Sequence, residues 1–159
     1  MGAEAREEIQ QKRQYITEDA LDDAGYVLTF KDALVAGNVS KTDADGEPPV
    51  GINLMSTDNP ITGVAAADVR VTILDSGDAW VKLEPNATRA IAILVGDWVQ
   101  GSSNGMVEGL ESTISGFANI DKALGIALQE VAAGVDLPTA GEEPYRTGYI
   151  LVKLRPRCA

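Results

Sequence analysis

KALGIALQEVAAG, Lys122 to Gly134, is the stretch on which the fold turns. Together with the residues just upstream it places apolar side chains at Ile114, Phe117, Ile120, Leu124, Leu128 and Val131, the three- and four-residue spacing of an amphipathic helix. Two glycines oppose that reading, because Gly116 and Gly125 would each cost about 1 kcal/mol inside a helix. A matching phrase opposes it as well: Gly51-Ile52-Asn53-Leu54 resembles Gly125-Ile126-Ala127-Leu128 but sits among prolines and turn residues where no long helix fits. Strand and helix therefore compete across residues 113–133. We read Ala123 to Leu128 as strand and place a short helix near 112–120.

Outward from this stretch the apolar period is two. Tyr26, Leu28 and Phe30 alternate with Val27 and Thr29, and Val69, Val71 and Ile73 alternate with Arg70, Thr72 and Leu74, the pattern of half-buried strands. Ile91, Ile93 and Val95, apolar on both faces, predict a central strand. Turn chemistry separates these runs at Thr42–Gly46, Asp75–Asp78, Glu84–Asn86 and Gly101–Gly105. With 16 glycines, 7 prolines and only 5% aromatic residues, the composition predicts a mainly β fold of short aliphatic strands, and the spacing of the strands and turns points to a sandwich or a compact β-barrel. Residues 26–159 are assigned to the barrel domain. Residues 1–25, whose apolar positions make no wide stripe, are assigned to an N-terminal arm lying on a partner.

Three phrase pairs suggest a two-unit internal repeat, 31–85 and 91–156. They are Leu34–Val39 with Leu94–Val99, Gly51–Leu54 with Gly125–Leu128, and Val81–Pro85 with Val152–Pro156. Any small β protein repeats phrases of this kind, so a chance match stays open, as does the choice between one barrel and two.

The formal charge of −11 makes a nucleic-acid partner unfavourable. The acidic character is not uniform: after Tyr145 come Arg146, Lys153, Arg155 and Arg157 and no acidic side chain, so Arg155 and Arg157 are candidates to meet an acidic neighbour. The alternative is that these side chains line the wet face of a last strand. No apolar run is long enough for a membrane helix, and the charged start has no signal-peptide core, so the expectation is a protein made in the cytoplasm with no membrane partner. The lone Cys158 makes no internal disulfide.

Without histidine the chain lacks the usual proton carrier, the usual activator of Ser or Cys nucleophiles, and a common metal ligand. Its paired carboxylates, Asp22-Asp23, Asp43 with Asp45, Asp75 with Asp78 and Glu142-Glu143, fall in turns, where such residues serve solvation and local hydrogen bonding. The glycine-rich pieces match no phosphate loop. The expectation is no enzyme, no cofactor and no metal. Trp80 and Trp98, the only tryptophans, are candidates for an interface or for plugs at the barrel ends. Ile9, Tyr15 and Ile16 are the arm's candidate contacts.

Four phrases carry a family resemblance: Val95-Gly96-Asp97-Trp98-Val99, Gly105-Met106-Val107, Lys122 to Leu128 followed by Val131-Ala132-Ala133-Gly134, and Tyr149 to Leu154. The second half resembles the head decoration, or capsid-stabilising cement, proteins of tailed viruses, including the lambda-type decoration proteins with their β-tulip fold. The resemblance implies a homotrimer on the outer capsid surface of a virion, clamping neighbouring copies of the major capsid protein, with the N-terminal segment as an arm on capsid strands. The first half, Tyr26 to Pro85, has no counterpart in the smallest members of that family. Two other readings remain: another virion structural protein, such as a tail tube or spike, and a small β-barrel module that binds a carbohydrate or other ligand.

Overall fold

A computed structural model describes residues 12–30, 37–43, 47–85, 91–110 and 121–155. The fold is mainly β. Among the described residues the strands are β1 (Lys12–Thr17), β2 (Val27–Phe30), β3 (Asn38–Lys41), β4 (Pro49–Asn53), β5 (Val69–Leu74), β6 (Gly77–Lys82), β7 (Trp98–Gly101), β8 (Val107–Gly109), β9 (Ala123–Ala127), β10 (Gln129–Glu130), β11 (Ala140–Gly141) and β12 (Tyr149–Leu154). A 3-10 turn at Ser103–Gly105 joins β7 to β8. Strands β1-β3-β2-β4-β5 close into a barrel, β6-β12-β9-β7-β8 form a second five-stranded sheet, and β10 and β11 make a small ribbon.

The two five-stranded units share strand order and register. In the first, Val27 lies opposite Ile52, Leu28 opposite Gly51, and after a register shift Thr29 opposite Pro49. In the second, Trp98 lies opposite Ile126, Val99 opposite Gly125, and after the same shift Gln100 opposite Ala123. Around each unit the agreement continues: Ile52 faces Leu74 as Ile126 faces Lys153, and Ile16 faces Arg70 as Lys82 faces Tyr149. Thr17 pairs in parallel with Val39, and Leu83 pairs in parallel with Val107. The flanking backbone bonds repeat as well. Gly25 N–H donates to Asn53 O as Gly96 N–H does to Ala127 O, and Leu54 N–H donates to Thr72 O as Leu128 N–H does to Leu151 O.

Alternation along the strands fills each interior. Leu28, Val39, Val71 and Ile73, with Leu21 and Tyr26, form the first core, and Tyr15 packs against it. Val99, Val107, Ile150, Val152 and Val81 hold the equivalent places in the second. Val27, Ile52 and Leu74 point out of the first barrel, yet they are buried in the same cluster as the second core. Each aliphatic side chain of this kind contributes about 1.5–3 kcal/mol when taken from water.

Several sequence expectations are corrected here. The N-terminal arm does not extend to residue 25: β1 is hydrogen-bonded between β5 and β3, and Leu21 is fully buried. A sheet strand satisfies its backbone on both sides, so Lys12–Thr17 needs few apolar side chains to belong to a barrel. Residues 26–159 are not a single barrel apart from the arm. They comprise most of one unit and all of a second. The repeat boundaries also move, to Lys12–Leu74 and Gly77–Leu154. Gly51–Leu54 and Gly125–Leu128 do occupy equivalent positions, whereas Val81 and Val152 lie on β6 and β12, neighbours within one sheet. Val39 matches Val107 rather than Val99. The expected central strand at Ile91–Val95 is a turn with one bridge, Ile93 to Val131, and Ile91 is 60% exposed. In the contested stretch Ala123–Ala127 is strand, whereas the helix expected at 112–120 falls outside the described residues.

The equivalent glycines Gly51 and Gly125 make one contact twice. A Cβ on Gly51 would lie 2.3 Å from the Leu74 carbonyl oxygen, and one on Gly125 would lie 2.1 Å from that of Lys153. We expect Gly51→Ala and Gly125→Ala each to lower the unfolding free energy by about 1–3 kcal/mol, the usual range for overpacking. Urea denaturation measures this, and a neutral effect at both positions would contradict the shared register.

Candidate interaction surface

The first unit docks onto the second through the segment Asp23 to Val27. Asn53 sets that segment up: its side chain accepts from Tyr26 N–H at 2.7 Å and donates to the Asp23 carbonyl at 2.7 Å. Gly25, with φ +90°, then turns its carbonyl outward to accept from Lys82 N–H at 2.9 Å. The closure of the second unit is sparse at this point: Leu83–Val107 is a single bridge where the first unit has Ile16–Asn38 and Thr17–Val39 in succession. The Gly25 carbonyl takes up a donor at that weak closure. A Cβ on Gly25 would sit 2.9 Å from Trp80 O, so glycine is required there.

Side chains reinforce the contact. Tyr149 Oη donates to Asp23 Oδ2, Lys82 Nζ lies 3.3 Å from the same oxygen, and Tyr26 Oη donates to Asp22 Oδ1 at 2.5 Å. Lys82 Nζ is also 4.9 Å from the Tyr26 ring centre and 5.6 Å from that of Tyr149, while Arg146 covers the Tyr149 ring at 3.9 Å. The Tyr26 bond holds the Asp22 carboxyl below its ordinary range. Burial pushes the Asp23 carboxyl upward, but the bonds from Tyr149, Ala24 N–H and Lys82 outweigh it and leave its pKa lowered. Burial and the Asp23 bond push the Tyr149 phenol up to about 12, and burial with the Asp22 bond raises Tyr26. Further along the seam, Thr42 Oγ1 donates to Ser102 O at 2.7 Å and Gly105 N–H donates to Thr42 O at 2.9 Å.

The candidate residues named from sequence do not form one cluster. Trp80 lines a cleft of about 300 Å³ at the seam with Gly25, Leu74, Arg146 and Tyr149, so it belongs to the contact between units. Tyr15 meets Phe30 edge-on at 5.5 Å between ring centres, and beside it on β1 Ile16 is half-buried. Trp98 and Arg155 do come together: the guanidinium carbon stands 5.4 Å from the indole centre on the outer face of the second unit. Ile9 and Arg157 lie outside the described residues. Beside Trp98 the turn before β7 exposes Leu94 by 50% and Val95 by 52%. Among the described residues no group of three or more His, Cys, Asp or Glu side chains could hold a metal ion, and no helix is long and apolar enough to cross a membrane.

Sequence reasoning missed Asn53 and Gln129, both fully buried. Gln129 donates to the carbonyls of Glu142 and Pro144 and accepts from Leu151 N–H, which fixes the long connection before β12. The available signal was a polar residue at an inward position of an apolar phrase, as in Gly51-Ile52-Asn53-Leu54. Sequence reasoning also took Asp22-Asp23 for solvated turn carboxylates, because Tyr149, the partner of Asp23, is remote in the chain.

No family model matches the chain, and no curated protein matches it. Among solved structures it is similar to the head fiber gp8.5 N base of bacteriophage phi29, at 13% identity and a TM-score of 0.47, over 92% of this chain and 95% of that one.

The seam sets a pH window. The phenols of Tyr149 and Tyr26 are raised in the folded state, so their contribution is present below the ordinary phenol value of about 10 and is lost as pH rises through their folded values, about 12 for Tyr149. Asp22 and Asp23 are lowered, so theirs is present above about pH 4 and is lost as pH falls through their folded values. Thermal midpoints should form a plateau from about pH 5 to 9 with a fall on each side. Tyr149→Phe should cost about 1–2 kcal/mol on the plateau and shrink both falls, since it removes one phenol and one bond to Asp23. An alkaline fall unchanged by this substitution would contradict the assignment.

Proposed function

We propose that this chain is a non-enzymatic virion structural protein that decorates the outer surface of a viral head and strengthens contacts between major capsid subunits. One observation carries the reading. The four phrases that resemble the decoration proteins fall on or beside β7, β8, β9 and β12, which lie side by side in the order β12-β9-β7-β8. The resemblance therefore describes one continuous sheet rather than scattered turns. On this reading the first unit is a second sheet of the same plan, added to the minimal decoration body.

The surface chemistry supports the same reading. Trp98 under Arg155 presents together an aromatic and an arginine, two side-chain types enriched in protein interfaces, with exposed Leu94 and Val95 nearby. Lys153 and Arg155 supply positive charge on an acidic protein, suited to an acidic partner. Residues 1–11 are proposed as the arm that reaches capsid strands, and many copies on one lattice would hold the shell through weak contacts made at high effective concentration.

Co-sedimentation with shells assembled from the major capsid protein of the virus that the proposal implies is the test. The protein should pellet with the shells to saturation and raise their thermal midpoint. Deleting Met1 to Gln11 should leave the fold intact and weaken binding, and Trp98→Ala combined with Arg155→Glu should weaken it at least tenfold, about 1.4 kcal/mol. Protein that stays in the supernatant while binding a glycan, or that forms closed rings indifferent to shells, would overturn the proposal in favour of a ligand-binding module or a tail component.

A further inference from the structure

The connection from β4 to β5 carries a hairpin with an apolar tip. Asn59 builds it: its side-chain oxygen accepts from Ile61 N–H at 2.8 Å, its carbonyl accepts from Gly63 N–H at 2.8 Å, and its own N–H donates to Val64 O at 2.9 Å. Below the tip Asp58 is bridged to Ala65, and Ala66 N–H donates to Thr57 O at 3.0 Å. Thr57 in turn is anchored on the fully buried Leu21, whose N–H donates to its hydroxyl at 2.9 Å. These bonds hold out side chains that the chain itself leaves uncovered, Ile61 at 91% exposure and Val64 at 66%. A tip fixed in advance loses little freedom when it is bound, so the hairpin is a finger suited to insertion.

A receptor of matching chemistry lies on the same molecule. The cleft of about 300 Å³ at the seam has apolar walls from Leu54, Leu74, Ala79 and Trp80, and Arg146 lines it as well. Stacking on the Tyr149 ring holds the Arg146 guanidinium in place, and among the described residues no carboxylate pairs with it. Asp78, the acidic residue of the cleft, lies opposite Lys153 across β6 and β12. The finger brings the charge that Arg146 lacks: Asp58 is exposed beside the tip, and no Lys or Arg occurs between Leu54 and Asp68. The same acidic character, without any aromatic residue in that stretch, disfavours a lipid surface, which is held by Lys, Arg and Trp.

The geometry points to self-association in which the Ile61 finger of one copy enters the seam cleft of another and Asp58 meets Arg146. An exposed apolar knob and a pocket elsewhere on the same molecule join copies through unlike surfaces. Two copies that exchange fingers close as a pair, and a one-way contact closes into a ring or runs on as a filament according to the rotation per step. The occupant is a second copy because this chain carries both the knob and the pocket, with opposite charges beside them. The inference does not require a capsid, so it can fail while the proposed function holds, and the reverse is equally open to observation.

Light scattering and sedimentation of the isolated full chain test it. The mass should rise above that of the monomer with concentration. Ile61→Asp should raise the dissociation constant about tenfold or more with the thermal midpoint of the monomer unchanged, because that side chain is not packed within its own chain. Asp58→Lys and Arg146→Glu should each weaken association, and the two together should restore it, since the exchanged charges attract again. A monomeric mass at every concentration up to millimolar would overturn the inference. Full association by Ile61→Asp would do so too, as would a double charge variant that binds no more tightly than either single one.

Discussion

The hydrogen bond from Lys82 N–H to the Gly25 carbonyl is the constraint around which this chain is arranged. It is made where the second sheet closes through one bridge, and it requires a residue without a side chain at Gly25. Around it stand three devices of different physical kind. Val27, Ile52 and Leu74 supply apolar burial, Asp23 with Tyr149 and Lys82 supplies charge-assisted bonds, and Thr42 with Ser102 and Gly105 supplies neutral ones. Because the aliphatic side chains enter the second unit's own core, the two units share one interior. They behave as one body for the same reason that neighbouring repeats in a solenoid do: each covers a face the other would leave wet.

The β class was legible because it rests on local chemistry: short β-branched runs, Gly and Pro at the turns, and the penalty that Gly125 would bring to a helix. The equivalence of Gly51 and Gly125 was legible for a related reason. Each lets a neighbouring strand approach to a distance no Cβ permits, and that demand leaves a mark on the sequence. The rest of the repeat was hidden because a sheet fixes only which positions face inward and leaves the identity of those residues free. Tyr15 and Val81 fill corresponding places although one is aromatic and the other aliphatic. Strand β1 was hidden for a stronger reason. Its place comes from backbone pairing on both sides, to which Lys12, Arg13 and Gln14 contribute no apolar signal.

At the surface, Trp98 and Arg155 could be picked out because rare aromatics and clustered charge are visible without a fold, but their nearness is a product of the pairing of β9 with both β7 and β12. Leu94 and Val95 misled for the opposite reason. An apolar run resembles a buried strand when read alone, and only comparison with Asp23 and Ala24 shows that the same position is a docking face in the other unit. Trp80, a candidate for partner contact, is half-buried and lines the cleft at the seam beside Gly25.

The claim that this seam organises the molecule can be tested by a paired measurement, the equilibrium unfolding of Gly25→Ala and Gly96→Ala under conditions where the chain is monomeric. Both substitutions place alanine at φ +90°, so they share the same backbone penalty. Only the first drives a Cβ into Trp80 O and the second unit. The account predicts that Gly25→Ala loses more stability than Gly96→Ala by about 1–3 kcal/mol, in a single transition or with the two units coming apart. Equal losses at the two positions would contradict it.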